Sequence, residues 1–205
     1  MIAIVDYGVG NIFSLYSSFG NIGAEAVLTS DAKKIRAADK IILPGVGAFG
    51  DAAEKLRASG LAEVVLETAA AGKPLLGICL GMQLLFEKSY EYGEHDGLSL
   101  IKGDIITMED VVPANFKVPH IGWNALSFPK GKDKSPLFRY IEEGDFVYFV
   151  HTYYGTNCSE SVIATTDYGA ELTAAVARDN VYGVQFHPEK SGAVGMKILQ
   201  AFCEI

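Results

Sequence analysis

Short apolar runs of strand length alternate with stretches of helical spacing through the first half of the chain. IAIVD (2–6), EAVLT (25–29), KIILPG (40–45) and PLLGI (74–78) are rich in Ile, Val and Leu. Between them, apolar residues recur at helical intervals from about Asn11, near Lys33, between Asp51 and Ala71, and from Leu80. Strands alternating with helices predict βαβ units and therefore a parallel sheet covered on both faces. The second half changes character: LIKGDIITM, HIGWNALSF, DFVYFVHTYY, SVIATT, LTAAVARDN and VYGVQF follow one another with turns between them. Such a succession is expected to pair mostly antiparallel, as an edge extension of the central sheet. Residues 192–205 place Val194, Ile198, Leu199 and Phe202 on one helical face and predict a closing amphipathic helix.

The expected fold class is thus α/β: a mostly parallel central sheet flanked by helices, with an antiparallel extension in the second half. No internal repeat interrupts it, and the polar stretches 87–97 and 129–136 read as surface loops. A single domain spanning 1–205 is expected, since 205 residues suffice for one well-packed core and are few for two.

Composition narrows the partners. The net charge is −8, with 25 acidic against 17 basic residues, and no Lys/Arg cluster offsets that average, so nucleic acid is not expected. No apolar run approaches the roughly 18 residues of a membrane span, and MIAIVDYG has no basic leader, so a cytoplasmic protein without membrane attachment is expected. Cys79, Cys158 and Cys203 are odd in number and widely spaced, which predicts free thiols rather than a disulfide framework. Histidines and acids do not cluster at ligand spacing, so neither metal nor cofactor is expected.

One stretch departs from ordinary packing. In PLLGICLGMQLLF, 74–86, Cys79 lies between Gly77 and Gly81 where a strand passes into a helix. A sharp bend there exposes the thiol above the carboxyl end of the sheet, and the glycines remove side chains that would crowd it. A helix N-terminus also favours a thiolate. With 22 glycines and three cysteines in 205 residues, GxCxG arises by chance roughly 0.03 times. The competing interpretation is a buried Cys acting as a small hydrophobe.

A thiol nucleophile needs a base and the base an orienting group. In VYGVQFHPEK, His187 ends a strand, Pro188 stops ladder pairing and Glu189 follows, so Glu189 projects to the side of His187 and can hold its tautomer. The alternative is a solvent-facing turn. His95 lies in a polar loop, while His120 and His151, at strand ends, are open to structural or site roles. The Leu80 N–H is one candidate oxyanion donor, and the PGVG turn at 44–47 offers others.

GICLGMQLLFE with GVQFHPEKSG resembles the class I, triad-type glutamine amidotransferases. DYGVGNI, LPGVGAFG, VPHIGWN and FVHTYY resemble one branch of that family, the glutaminase subunits of imidazole glycerol phosphate synthases of histidine biosynthesis. The resemblance implies that Cys79, His187 and Glu189 hydrolyse L-glutamine to glutamate and ammonia. It further implies that ammonia passes to a partner cyclase with a (β/α)8 barrel, which makes imidazole glycerol phosphate and aminoimidazole carboxamide ribotide. It assigns substrate positioning to Gln83, Glu91, Thr152 and Tyr153, an oxyanion donor supplied after a conformational change to Gly45, Val46 and Gly47, and places Asn11, His120, Trp123 and Asn124 in segments that face the cyclase near the route by which ammonia leaves. A stand-alone thiol hydrolase of the gamma-glutamyl hydrolase type and a catalytically silent binding module are the competing classes.

Overall fold

A computed structural model describes residues 1–10 and 12–205. In chain order the elements are β1 (Ile2–Val5), α1 (Ile12–Asn21), β2 (Ala26–Thr29), α2 (Ala32–Ala37), β3 (Lys40–Gly45), α3 (Phe49–Ala58), α4 (Leu61–Ala70), β4 (Leu75–Cys79) and α5 (Leu80–Leu84). There follow β5 (Lys88–Ser89), β6 (His95–Asp96), β7 (Asp104–Thr107), β8 (His120–Ala125), β9 (Phe146–His151), β10 (Tyr153–Thr156), β11 (Val162–Asp167), β12 (Glu171–Arg178), β13 (Val181–Val184) and α6 (Gly192–Cys203).

Seven strands form the central sheet in the order β11-β12-β13-β4-β3-β1-β2. The five from β13 to β2 are parallel, and β12 and β11 continue the sheet antiparallel. The parallel strands are apolar almost throughout because both faces are covered. Alternate side chains serve opposite cores: Ala3, Val5, Ile41 and Leu43 pack with Ile35, Phe49, Leu56, Val64 and Val65 of α2, α3 and α4. Ile2, Ile4, Ile42 and Leu76 pack on the other face with Leu15 and Phe19 of α1 and Ile198, Leu199 and Phe202 of α6. The two-residue side-chain period of the strands divides the molecule into these two layers.

The antiparallel extension is smaller than the sequence pattern implies. Only SVIATT and LTAAVARDN join the central sheet as antiparallel strands, while VYGVQF supplies β13, which runs parallel to β4. LIKGDIITM supplies β7 of a separate four-stranded sheet, β10-β7-β5-β6, and HIGWNALSF pairs with DFVYFVH as the two-stranded sheet β8-β9. The stretch 87–97, expected as loop, contains β5 and β6, each two residues long.

Candidate active site

The carboxyl ends of three neighbouring strands, β3, β4 and β13, bring the candidate residues together, at the usual ligand position in an open α/β sheet. Gly45 at the end of β3 is in register with Cys79 at the end of β4. On the other side, Val184 pairs with Ile78, and the chain runs on through Gln185 and Phe186 to His187.

Cys79 occupies the elbow expected of it. Its φ of 55° and ψ of −113° lie in a region costly for a side chain with Cβ. Close approach explains the glycines on either side: a Cβ on Gly81 would stand 1.8 Å from the Leu43 carbonyl oxygen, and one on Gly77 2.6 Å from that of Gly81. The helix that follows is only five residues long, so its dipole is that of little more than one turn and adds little to activation. Tyr7, not singled out from the sequence, donates its hydroxyl to the Pro44 carbonyl at 2.8 Å and anchors the base of the PGVG turn. Burial and the neighbouring Cys79 keep that hydroxyl protonated.

His187 and Glu189 meet as their spacing predicts, with Nδ1 and Oε1 2.8 Å apart and both side chains buried. A carboxylate only accepts, so Nδ1 carries hydrogen and Nε2 is left to act. That Nε2, like Glu189 Oε2, is buried and has no hydrogen-bond partner among the described residues, a condition uncommon for buried polar atoms. Burial pulls the His187 pKa down, but Cys79 and Glu189 outweigh it and push it up to about 9. Cys79 thus lies close enough to favour the charged ring although the pair does not meet hydrogen-bond geometry.

Cys79 and His187 share a cavity of about 390 Å³ with Leu80, Val46, Gly47, Gln83, Glu91, Thr152 and Tyr153, at the small end of ligand pockets. A cleft of about 760 Å³ adjoins it, sharing Glu91 and Tyr92, and one of about 800 Å³ lies apart, but neither is lined by the cysteine of the elbow; size alone does not select the site. The Glu91 carboxylate accepts the Phe49 N–H at 2.6 Å, capping α3, whose own N-cap residue Ala48 provides no side-chain bond. Burial raises the Glu91 pKa, opposed by that N–H and by His95. Gln83 donates through Nε2 to the Tyr153 carbonyl at 3.2 Å and to Gln185 Oε1 at 3.0 Å.

Of the four residues assigned to a cyclase-facing surface, the structure turns Trp123 outward, 54% exposed, beside Ile121 and Phe146. His120 is buried, 2% exposed and stacked on Phe149 and Tyr168, because β8 alternates and His120 falls on the inner face. Asn124 donates to the Asp167 carbonyl and accepts from the Ala125 N–H. Asn11 lies outside the described residues.

Sequence reasoning left His151 open and passed over Gln185. His151 is in register with His120, its Nε2 3.2 Å from His120 Nδ1 and its own Nδ1 2.9 Å from the Tyr153 carbonyl. Gln185 is completely buried, with Nε2 3.8 Å from Cys79 Sγ. A lone polar residue inside VYGVQF was the available signal.

Residues 3–205 match the family model described as glutamine amidotransferase class-I. The chain is 52% identical over 204 residues to the imidazole glycerol phosphate synthase subunit HisH of Sulfurimonas denitrificans, covering 98% of this chain and 97% of that protein. It is 48% identical to the protein of the same name from Wolinella succinogenes over the full length of both. Among solved structures, PurLQS of Thermotoga maritima superposes with a TM-score of 0.76 at 21% identity, covering 99% of this chain and 97% of the other. A structure titled glutamine amidotransferase gives 0.75 at 17% identity, with coverage of 99% and 97%.

Proposed function

The chain belongs to the class I glutamine amidotransferase family, and from that premise we propose that it is the glutaminase subunit of an imidazole glycerol phosphate synthase. It hydrolyses L-glutamine and supplies the ammonia to histidine biosynthesis. The full-length likeness to subunits of that enzyme carries the reading.

In this reading Cys79 Sγ attacks the side-chain amide carbon of glutamine and its proton goes to His187 Nε2. The N–H of Leu80 and a donor from the 45–47 turn face the oxyanion, where fixed dipoles act most strongly. His187 then protonates the departing nitrogen, and ammonia leaves a glutamyl thioester on Cys79. Water attacks the thioester with His187 as base, releasing glutamate. Glu189 holds the His187 tautomer throughout, which the 2.8 Å contact supports. Glu91 takes the substrate ammonium, its second carboxylate oxygen being committed to α3. Gln83 orients the substrate through Oε1, both of its N–H groups being engaged. The 152–153 backbone faces the substrate carboxylate.

The partner is a cyclase subunit of (β/α)8 barrel fold, and the outer face of β8-β9, with Ile121, Trp123 and Phe146 exposed, is the surface offered to it. The protein works as one domain in the cytoplasm. Among the described residues no helix is long and apolar enough to cross a membrane. Cys79→Ala tests the division of labour when assayed with the cyclase bound. Glutamine-dependent synthesis should vanish while ammonia-dependent synthesis persists, and loss of both would overturn the reading.

A further inference from the structure

We propose that Gln185 is a positioning residue for the nucleophile: its buried amide donates a hydrogen bond to the Cys79 sulfur. The inference takes Cys79 as the attacking atom, as the functional reading does.

The direction of the bond follows from the chain of partners behind it. The Tyr153 carbonyl can only accept, so the Gln83 atom 3.2 Å from it is the NH2 group. That same NH2 faces the side-chain atom of Gln185 at 3.0 Å, which must therefore be the oxygen. The other end of the Gln185 amide, 3.8 Å from Cys79 Sγ, is then its NH2, and a donor points at the sulfur. A flipped Gln185 would set two NH2 groups against each other and leave an oxygen against the thiol.

The location gives this donor a purpose. Gln185 is fully buried, flanked by Val184 and Phe186 of the apolar core, where an amide is costly unless its groups are engaged. Its backbone N–H is tied to the Ala174 carbonyl at 2.8 Å, so the side chain starts from a rigid strand end. Gln83, on α5 directly after the nucleophile, locks the far end of the amide. The sulfur is consequently met by a fixed donor as it takes on negative charge in losing its proton to His187, at a separation that makes the bond modest in strength.

Two variants test this in the complex with the cyclase. Gln185→Glu keeps the shape of the side chain but replaces the donor with an acceptor, and Gln185→Met keeps its length without polar atoms. Both should lower glutaminase kcat about tenfold while KM stays within about twofold. Both should also slow alkylation of Cys79 by iodoacetamide at pH 7.5, followed by mass spectrometry of the peptide containing Cys79. A purely structural amide would affect the unfolding temperature and leave both rates alone in folded protein. Unchanged or faster alkylation together with unchanged kcat in either folded variant would overturn the proposal. Absence of glutamine turnover by the wild-type complex would overturn the functional reading instead, since alkylation does not depend on glutamine.

Discussion

His187 sits beside a carboxylate and a thiol, whereas His120 and His151 sit beside each other and a backbone carbonyl. All three rings are buried, and burial disfavours the charged imidazole in every case. Around His187 that effect is outweighed by Cys79 and Glu189, and the pKa rises to about 9. In the pair nothing opposes it adequately: burial takes His120 down to about 4. Burial likewise takes His151 to about 3, against the Tyr153 carbonyl and with help from His120 and His187. One ring is held ready to carry a proton and two are held neutral, so neighbouring charge rather than burial selects the role. The hydrogen bonds follow: the Tyr153 carbonyl requires hydrogen on His151 Nδ1, its Nε2 then accepts, and His120 Nδ1 donates.

The strongest way to break the contrast is to remove the carboxylate. Glu189→Gln should cut glutaminase turnover on the order of 10²- to 10⁴-fold, because the base loses its orientation and its charged form loses support. It should also change the alkaline limb of stability. His187 is raised from 6.5 to about 9, so the folded state binds a proton that the unfolded chain has lost. The resulting stabilisation is complete below about 6.5 and disappears as pH rises through 9. In Glu189→Gln this alkaline decline should be smaller and end at lower pH in urea titrations.

A milder change attacks the other side. His120→Phe preserves the stacked ring on Phe149 and Tyr168 but leaves His151 Nε2 without its donor, a loss of about 1–3 kcal/mol in chemical denaturation. Turnover should fall far less than in Glu189→Gln. Because only the unfolded chain takes up the His120 proton between about 6.5 and 4, wild-type stability declines as pH falls through that window, and the variant should lose part of this decline.

The smallest effect sharpens the point about environment. Arg36 and Glu67 form an ion pair as short as that of His187 and Glu189, 2.8 Å, but with both side chains about half exposed. Arg36→Met should shift unfolding by less than about 1 kcal/mol, since water screens the pair and both side chains lose freedom in forming it. A larger change would mean that short contact distance matters more than surroundings.

How much of this was legible beforehand depended on the range of the signal. The elbow at Cys79 could be read because Gly77 and Gly81 lie within two residues of it and serve a local bend. The parallel strands could be read because burial on both faces makes them apolar throughout. The fate of LIKGDIITM and HIGWNALSF could not, because their alternation states that one face is buried but not against which sheet. His120 and His151 are 31 residues apart, and only the β8-β9 register places them opposite each other. Alternation along β8 turns His120 inward and Trp123 outward.

By itself, the sequence determined the elbow at Cys79 and the pairing of His187 with Glu189, together with the alternating layers that carry them, since each depends on residue type and near-neighbour spacing. The tertiary structure decided which atoms touch: the donor that Gln185 presents to the sulfur, the Glu91 cap on α3 and the neutral histidine pair. Contacts between distant segments depend on strand register and packing to within an ångström, and short-range patterns in a chain do not encode distances on that scale.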